Sequence, residues 1–448
     1  MKSKKHHSIT GGQAIVKILE KNKVKYVFGL IGSATMELFD SLYDNKKIKF
    51  IDVRDERTGT HMADGYARAS GKIGIMIAGQ NGPGVTNLVT GVAQAYKAFS
   101  SIVTLGGDIA SDHFGKDSFQ EIDQQKLFEP ITKKTFKINN TKKIPFILNN
   151  ALKIALSGRS GPVHVNIPRD VLSNKTKFIN SNKNLKLRIP VPLEKDIKKI
   201  YSQIIKYPKT VIIAGGGIKK TKCYNDVISL AKKLYIPIVS SAGHGDAIPY
   251  NEKLYLGQMG PRGNKVATKS VREADLILAL GTRLGFNSTF YSHENINKKT
   301  KIIQIDIEKI ALARYFRIML GICGDVKISV KQILKKVRLK KFTRKKNIWT
   351  KNLIEEKKSY ILKRDIQTNL SSNPIMPSGI FKILREVLPS NSAITLDAGT
   401  LCLQATDQLN YSKPGSLFTP LDFGLVGFSF ACGLGVKLAK PKFNVISL

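Results

Sequence analysis

Apolar positions fall in short blocks along the chain, and their spacing switches between two periods. "GGQAIVKILEKNKV" carries its apolar residues at helical intervals, and "YVFGLIG" after it is a nearly continuous apolar run ending in glycine. The same alternation continues through the strand patterns "IKFIDV", "IGIMIAG" and "SIVTLGG". Between them lie the helical patterns "HMADGYARASG", stopped by Gly71, and "VTNLVTGVAQAYKAF", which has small residues on one face. "GPVHVNIPRDVL" closes this block with a strand ending at Pro168. Apolar strands alternating with helices predict a mainly parallel sheet covered on both faces.

The pattern then breaks. "SNKTKFINSNKNLKLRIPVP" is polar and lysine-rich, has no period, and reads as a linker. From about residue 196 a second α/β unit starts, with the strands "TVIIAGG", "IPIVSS", "ADLILALG" and "KIIQIDI". A basic connector is expected over 335–373. A third unit begins near Pro377 with the helix "SGIFKILREVL" and the strand "SAITLDAG", and reaches the strand "FNVISL" at the end. The predicted fold class is therefore α/β, with domains over 8–175, 196–335 and 374–448.

Composition narrows the function classes. A chain of 448 residues with 42% apolar and 8% aromatic residues has enough apolar material for two or more cores. No apolar run approaches the ~20 residues that span a bilayer. The basic start "MKSKKHHSIT" has no apolar stretch behind it, so no secretory signal is read. Cys223, Cys323, Cys402 and Cys432 are far apart without CxxC spacing, which suits reduced thiols in a cytoplasmic protein better than disulfides or zinc. The net charge of +40 raises nucleic acid or anionic membrane as partners. The lysines, however, are spread along the whole chain among Ile and Asn, with no aromatic interleaving and no nucleic-acid motif. Even the densest run, Lys331 to Lys358, has apolar residues at roughly helical intervals and reads as a solvated helix or linker. A compositional bias toward Lys, Ile and Asn would explain the charge without a partner.

Chemistry-bearing residues stand out at two turns. Glu56 follows the strand "FIDV", at the strand end where open α/β sheets place ligands. Position alone equally allows a surface carboxylate or a helix N-cap partner favoured by the dipole. Gly82-Pro83-Gly84 follows "IAGQN" and precedes Thr86 and Asn87, where glycines let a ligand approach the backbone. A plain strand-to-helix turn explains the same residues. Gly215-Gly216-Gly217 and the Gly281 and Gly285 loop carry the same two readings, and neither completes a GxGxxG with an acidic partner. No HExxH and no GxSxG is present.

Several segments taken in order resemble the thiamine diphosphate-dependent family of acetolactate synthase and its relatives. They are "VFGLIGSATMELFDSL", "DERTGTHMADGYARASGK", "NGPGVTN", "FQEIDQQKLFEPITKKTF", "GPVHVNIPRDVL", "EADLILALGTRLG" and "LDFGLVGFSFACGLG". The resemblance implies three doubly wound parallel-sheet domains: pyrimidine-binding, Rossmann-like central, and diphosphate-binding. It implies thiamine diphosphate and Mg2+ as cofactors, and a homodimer or homotetramer with active sites between subunits. In this family a glutamate hydrogen-bonds the pyrimidine N1′ and favours its imino tautomer; Glu56 fills that position. Gly32, Ser33, Gly82, Pro83, Gly84 and Asn87 then fall on the cofactor side. Ile31, Asn81, Phe119, Gln120 and Lys133 fall on the substrate pocket. Gly399, Thr400 and Leu401 match the diphosphate loop. Gly424, Leu425 and Val426 match the apolar wedge under the bent cofactor, with Val426 or, one residue over, Leu425 at its tip.

The resemblance also has departures. The family's metal motif, GDG followed about thirty residues later by Asn, supplies oxygen ligands to magnesium and would start just after Leu448. No metal ligand is therefore expected within this sequence, and a C-terminally truncated chain with an incomplete third domain is the expectation. Leu30-Ile31-Gly32-Ser33 replaces the YPGG-like run of the synthases, and "IAGQNGPG" and "SFQEIDQQKLFE" look more like sulfoacetaldehyde acetyltransferase. Phe286-Asn287-Ser288-Thr289 stands where the synthases carry a DDR-containing loop, which puts FAD in question. The resemblance thus implies transfer of a two-carbon acyl-anion equivalent from a 2-oxo acid such as pyruvate, as in branched-chain amino acid biosynthesis. Its alternative turns sulfoacetaldehyde and phosphate into acetyl phosphate and sulfite. An inactive homologue or a basic nucleic-acid-binding protein would lack either activity.

Overall fold

The computed structural model describes residues 8–178, 189–339 and 347–448. By packing, the chain forms two compact units: Met1–Leu187 with Gly427–Lys442, and Arg188–Val426 with Phe443–Leu448. Among the described residues no helix is long and apolar enough to cross a membrane.

The first unit contains β1 (Ser8–Thr10), β2 (Tyr26–Gly29), β3 (Lys49–Asp52), β4 (Gly74–Ala78), β5 (Ile102–Asp108), β6 (Lys134–Lys137), β7 (Val163–Pro168) and β8 (Lys175–Lys177). Six of these build one parallel sheet in the order β3-β2-β4-β5-β7-β6. β4, β5 and β7 are buried along their whole length, as strands covered by helices on both faces must be. The chain leaves β2 toward β3 on one side and builds β4 on the other. The strand order switches between β2 and β4; the crevice at the carboxyl ends beside such a switch is the usual ligand position in these sheets.

Local signals start and stop the helices around this sheet. Thr10 caps Gly11–Lys21 through a capping box with Gln13, and Gly71 ends Glu56–Ser70 in the left-handed region at φ 75°. The single helix expected over "VTNLVTGVAQAYKAF" is built as Pro83–Asn87 and Val89–Ala98, joined at Leu88.

The second unit has β9 (Thr210–Ala214), β10 (Ile238–Ser240), β11 (Tyr255–Gln258), β12 (Leu276–Leu280), β13 (Lys301–Asp306) and β14 (Leu320–Cys323) in a parallel sheet ordered β11-β10-β9-β12-β13-β14. Its order also switches, between β9 and β12. β15 (Ser392–Thr395), β16 (Leu417–Phe418) and β17 (Asn444–Ser447) form a parallel sheet ordered β16-β15-β17. This small sheet packs with the larger one in the same compact unit. Lys219 Nζ bonds the Leu417 carbonyl and pairs at 2.7 Å with Asp246, whose other oxygen takes the Leu417 N–H.

Three expectations change. Part of the expected linker is β8, paired antiparallel with β1; residues 179–188 of it lie outside the described residues. The basic connector is largely helix: Val326–Leu339 buries Val330, Ile333, Leu334 and Val337, and Ile348–Gln367 buries Leu353 and Ile354. Residues 340–346 lie outside the described residues. The third change concerns the helix Ser429–Ala439, which belongs to the first unit and packs against Glu56–Ser70. Glycines permit that approach: a Cβ on Gly435 would stand 1.9 Å from the Met62 carbonyl oxygen, and one on Gly65 2.2 Å from that of Cys432.

Candidate active site

Glu56 is the first residue of its helix, and its neighbour Asp55 is the cap, accepting the Thr58 N–H at 3.0 Å. The capping role that Glu56 might have filled is thus taken. Its side chain turns inward and is 3% exposed. Burying a carboxylate is costly unless it is hydrogen-bonded, and Asn87 Nδ2 donates to Glu56 Oε2 at 3.1 Å.

The glycine–proline turn lies against this carboxylate. Gly82 adopts φ 55° and ψ −104°, a conformation open to glycine, and Pro83 starts the short helix that carries Asn87. A Cβ on Gly84 would stand 2.9 Å from Glu56 Oε1, so the missing side chain is what leaves the carboxylate its room. Gly82, Pro83, Gly84, Asn87 and Glu56 are therefore brought together.

The loop after β2 joins them at the crevice. A Cβ on Gly32 would fall 2.5 Å from the Gly79 carbonyl group, so the loops after β2 and β4 touch backbone to backbone. Ser33 Oγ donates to Gln80 Oε1 at 2.9 Å, and Gln80 Nε2 donates to Gln120 Oε1 at 2.7 Å. Asn81 Nδ2 donates to the Gln120 carbonyl at 3.2 Å, and Gln120 itself is held at φ 62°. Ile31 and Phe119 present exposed apolar side chains, 55% and 83% exposed. Asn81, Gln120, Gly32 and Ser33 thus share one polar rim, flanked by two apolar groups.

Lys133 does not join them. It precedes β6, at the amino end of the sheet, whereas the crevice lies at the carboxyl ends. Its ammonium group donates to the carbonyls of Ile154, Ser157 and Arg159, tying down the end of the helix Ile144–Leu156. A lysine in an apolar-flanked motif gave no hint of this, because helix-end carbonyls are a tertiary feature.

Sequence reasoning passed over Gln80 and Gln124. Gln124 Oε1 accepts the Gly82 N–H at 3.0 Å, from a segment 42 residues away. The available signal was spacing: Gln124 and Phe128 lie one helical turn apart, and both are buried.

The remaining predicted residues belong to the second unit. Gly399, at φ 116°, leads into the helix Thr400–Gln408, with Leu401 exposed; Gly424 is at φ 77°. Nothing stands within 4 Å of where a Cβ on either glycine would be, so both loops have open backbone for a ligand to approach. Leu425 is half-buried and Val426 exposed. Elsewhere in this unit Gly217 N bonds the Gly281 carbonyl at 3.0 Å, so these glycines serve a close loop crossing. Asn287 bonds the Leu421 carbonyl, and Arg283 pairs with Asp422 at 2.9 Å. Among the described residues no three His, Cys, Asp or Glu side chains converge to hold a metal ion.

A buried carboxylate facing a side-chain gap can accept a hydrogen bond and repels an anion. Comparison with known proteins shows the family. Residues 9–127 match the thiamine pyrophosphate enzyme N-terminal TPP binding domain, and residues 197–333 match the central domain of the same enzymes. A probable acetolactate synthase large subunit of Methanococcus aeolicus is 33% identical over 98% of this chain and 76% of its own length. The chain belongs to the thiamine pyrophosphate enzyme family. Other members include a probable acetolactate synthase large subunit of Methanocaldococcus jannaschii, 34% identical over 98% of this chain and 75% of its own. A sulfoacetaldehyde acetyltransferase of Castellaniella defragrans is 30% identical over 98% and 76%. The matched N-terminal domain contains the buried Glu56 carboxylate and the Gly82 turn beside it.

Proposed function

We propose that this chain is an acetolactate synthase-like transferase that takes a two-carbon unit from a 2-oxo acid such as pyruvate and passes it to a second 2-oxo acid. The supporting observation is the buried Glu56 carboxylate, bonded by Asn87 and given room by Gly84. When bound, thiamine diphosphate would supply the electron sink that decarboxylation of a 2-oxo acid needs. Glu56, buried at 3% exposure, would hold the pyrimidine through a hydrogen bond. Asn87 keeps that carboxylate oriented, and the Gly82 turn walls the pocket. Gly399, Thr400, Leu401 and Gly424 to Val426 take the diphosphate end, with magnesium as its counter-ion. We assign pyrimidine-binding, central and diphosphate-binding roles to 8–175, 196–335 and 374–448, in a cytoplasmic homodimer or homotetramer.

The second reading is the sulfoacetaldehyde reaction, favoured by the Leu30–Ser33 segment and by the similarity to an acetyltransferase of that name. One experiment separates them. The protein is given thiamine diphosphate and magnesium, then either pyruvate, with acetoin read after acidification, or sulfoacetaldehyde and phosphate, with sulfite read directly. Acetoin alone supports the synthase reading and sulfite alone the acetyltransferase reading. Neither product, with cofactor binding seen by calorimetry, removes both substrate assignments.

A further inference from the structure

Behind the Gly82 turn lies a run of buried side-chain hydrogen bonds that no role above requires. Gln124 Oε1 accepts the Gly82 N–H at 3.0 Å, while Gln124 Nε2 donates to the Gly107 carbonyl at 3.0 Å and to Asn166 Oδ1 at 3.3 Å. Asn166 Oδ1 also meets His164 Nε2 at 2.6 Å, and His164 Nδ1 meets Thr104 Oγ1 at 2.8 Å. Phe128 stacks on the His164 ring with centroids 3.9 Å apart and planes 16° from parallel. Gln124, Phe128, Thr104, His164 and Asn166 are all buried.

Backbone groups at one end settle every orientation in the run. An N–H faces one end of the Gln124 amide and a carbonyl the other, so the amide cannot turn over. Its NH2 therefore meets an oxygen on Asn166. That oxygen requires a proton on His164 Nε2, which leaves Nδ1 to accept from the Thr104 hydroxyl. The geometry is also set by two periodicities. His164 and Asn166 are two apart on β7 and share a face, and Gln124 and Phe128 are four apart on one helix. One pair docks on the other, residue to residue.

We propose that Gln124 is a positioning residue for the Glu56 site, holding the Gly82 turn in its glycine-only conformation, and that Thr104, His164 and Asn166 fix the Gln124 amide. The proposal rests on the reading of the Glu56 site. Gly82 leads straight into Pro83 and Gly84, and Gly84 is the residue whose missing side chain gives Glu56 its room. Loss of the Gln124 bond would free a strained turn at the point where the pocket needs it closed.

The test needs no cofactor and no activity, so its failure is distinct from failure of the proposed function. Imidazole carbon and nitrogen shifts in histidine-labelled protein, assigned with His164→Gln, should show His164 neutral with its proton on Nε2. A proton on Nδ1 would overturn the proposal. Peptide-level hydrogen exchange over 79–88 should rise about tenfold or more in Gln124→Leu, which leaves the Gly82 N–H unpaired. Phe128→Leu, which removes the ring stack but no hydrogen bond, should leave that segment protected. Equal opening in both variants, or none in Gln124→Leu, would overturn the proposal. Gln124→Glu guards against a leucine variant that does not fold, since it keeps the acceptor for Gly82 and loses the donor. It should leave 79–88 protected while Asn166 turns over and moves the His164 proton to Nδ1. An unchanged tautomer in that variant counts against the relay.

Discussion

Asn87 Nδ2 donates to Glu56 Oε2 at 3.1 Å, joining the first turn of one helix to the helix that follows the Gly82 turn. The bond leaves the other oxygen, Oε1, against the gap at Gly84. One oxygen is held and the other faces that gap, so on the proposed reading Oε1 is the oxygen left to bond a ligand. Glu56→Gln has nearly the same shape and donates where the carboxylate accepted. It should slow hydrogen–deuterium exchange at C2 of bound thiamine diphosphate by about a hundredfold or more, read by proton NMR. Circular dichroism and the unfolding midpoint should stay near wild type. Normal exchange in the variant would remove Glu56 from its assigned role.

Gly84→Ala tests the gap itself. The new methyl group would stand 2.9 Å from Glu56 Oε1, the far end of a side chain that can swing aside. Stability should change by less than about 1 kcal/mol, because alanine is the better helix former and the clash is relieved by rotation. Calorimetric affinity for thiamine diphosphate should fall clearly. A variant that binds as well as wild type would show that Glu56 does not need this space.

How much of this was legible in the sequence depended on period. β4, β5, β7, β9, β12 and β13 are apolar runs and were readable, as was the stop at Gly71. β1, β6, β8, β11, β14 and β16 are two to four residues long, several of them polar, so pairing with a neighbour rather than any pattern defines them. At the site, Glu56 and the Gly82 turn could be picked out by strand ends. Asn87 was visible only as a residue of the turn's following helix, because the bond between it and Glu56 spans 31 residues. Gln124 lay inside a quoted motif yet carried no mark of its partner, because the Gly82 N–H it accepts is a backbone group.

The cysteines should separate cleanly by burial. All four are free thiols; Cys223, Cys402 and Cys432 are buried and Cys323 is exposed. Burial pushes the Cys223 thiol up to about 11, and raises Cys402 and Cys432 as well. Only the thiolate is the nucleophile, so native protein at pH 8 should react quickly at one thiol of the four, Cys323. Mass-spectrometric mapping after brief alkylation checks this, with all four reacting in denaturant. Rapid native labelling of Cys432 would contradict its burial.

His164 predicts a pH dependence. Burial is the main cause that lowers its pKa from 6.5 to about 4, against a hydrogen bond to Asn166 that raises it. The unfolded chain therefore binds a proton first as pH falls, so this residue's contribution is full above about 6.5 and is lost toward pH 4. The difference is on the order of 3 kcal/mol. Asp64, buried and raised, contributes with the opposite sign, so the comparison must be between wild type and His164→Gln. Urea unfolding at pH 7 and pH 4.5 should show wild type losing more stability than the variant. Equal losses would mean that His164 is already protonated in the folded protein at the lower pH.

The glycines between Glu56–Ser70 and Ser429–Ala439 give the sharpest contrast in stability. A Cβ on Gly435 would sit 1.9 Å from the Met62 carbonyl oxygen, a main-chain atom that can yield only if the two helices part. Gly71 also resists substitution, but for another reason: its φ is 75°, and nothing lies within 4 Å of the Cβ position. Gly71→Ala should cost roughly 1–2 kcal/mol, the penalty of the left-handed region alone. Gly435→Ala should cost about 1–3 kcal/mol from overpacking, or more if the helices separate. It should also raise hydrogen exchange along both helices, which Gly71→Ala should confine to the helix end. Stability and exchange unchanged in Gly435→Ala would mean that Ser429–Ala439 does not pack on the Glu56 helix in solution.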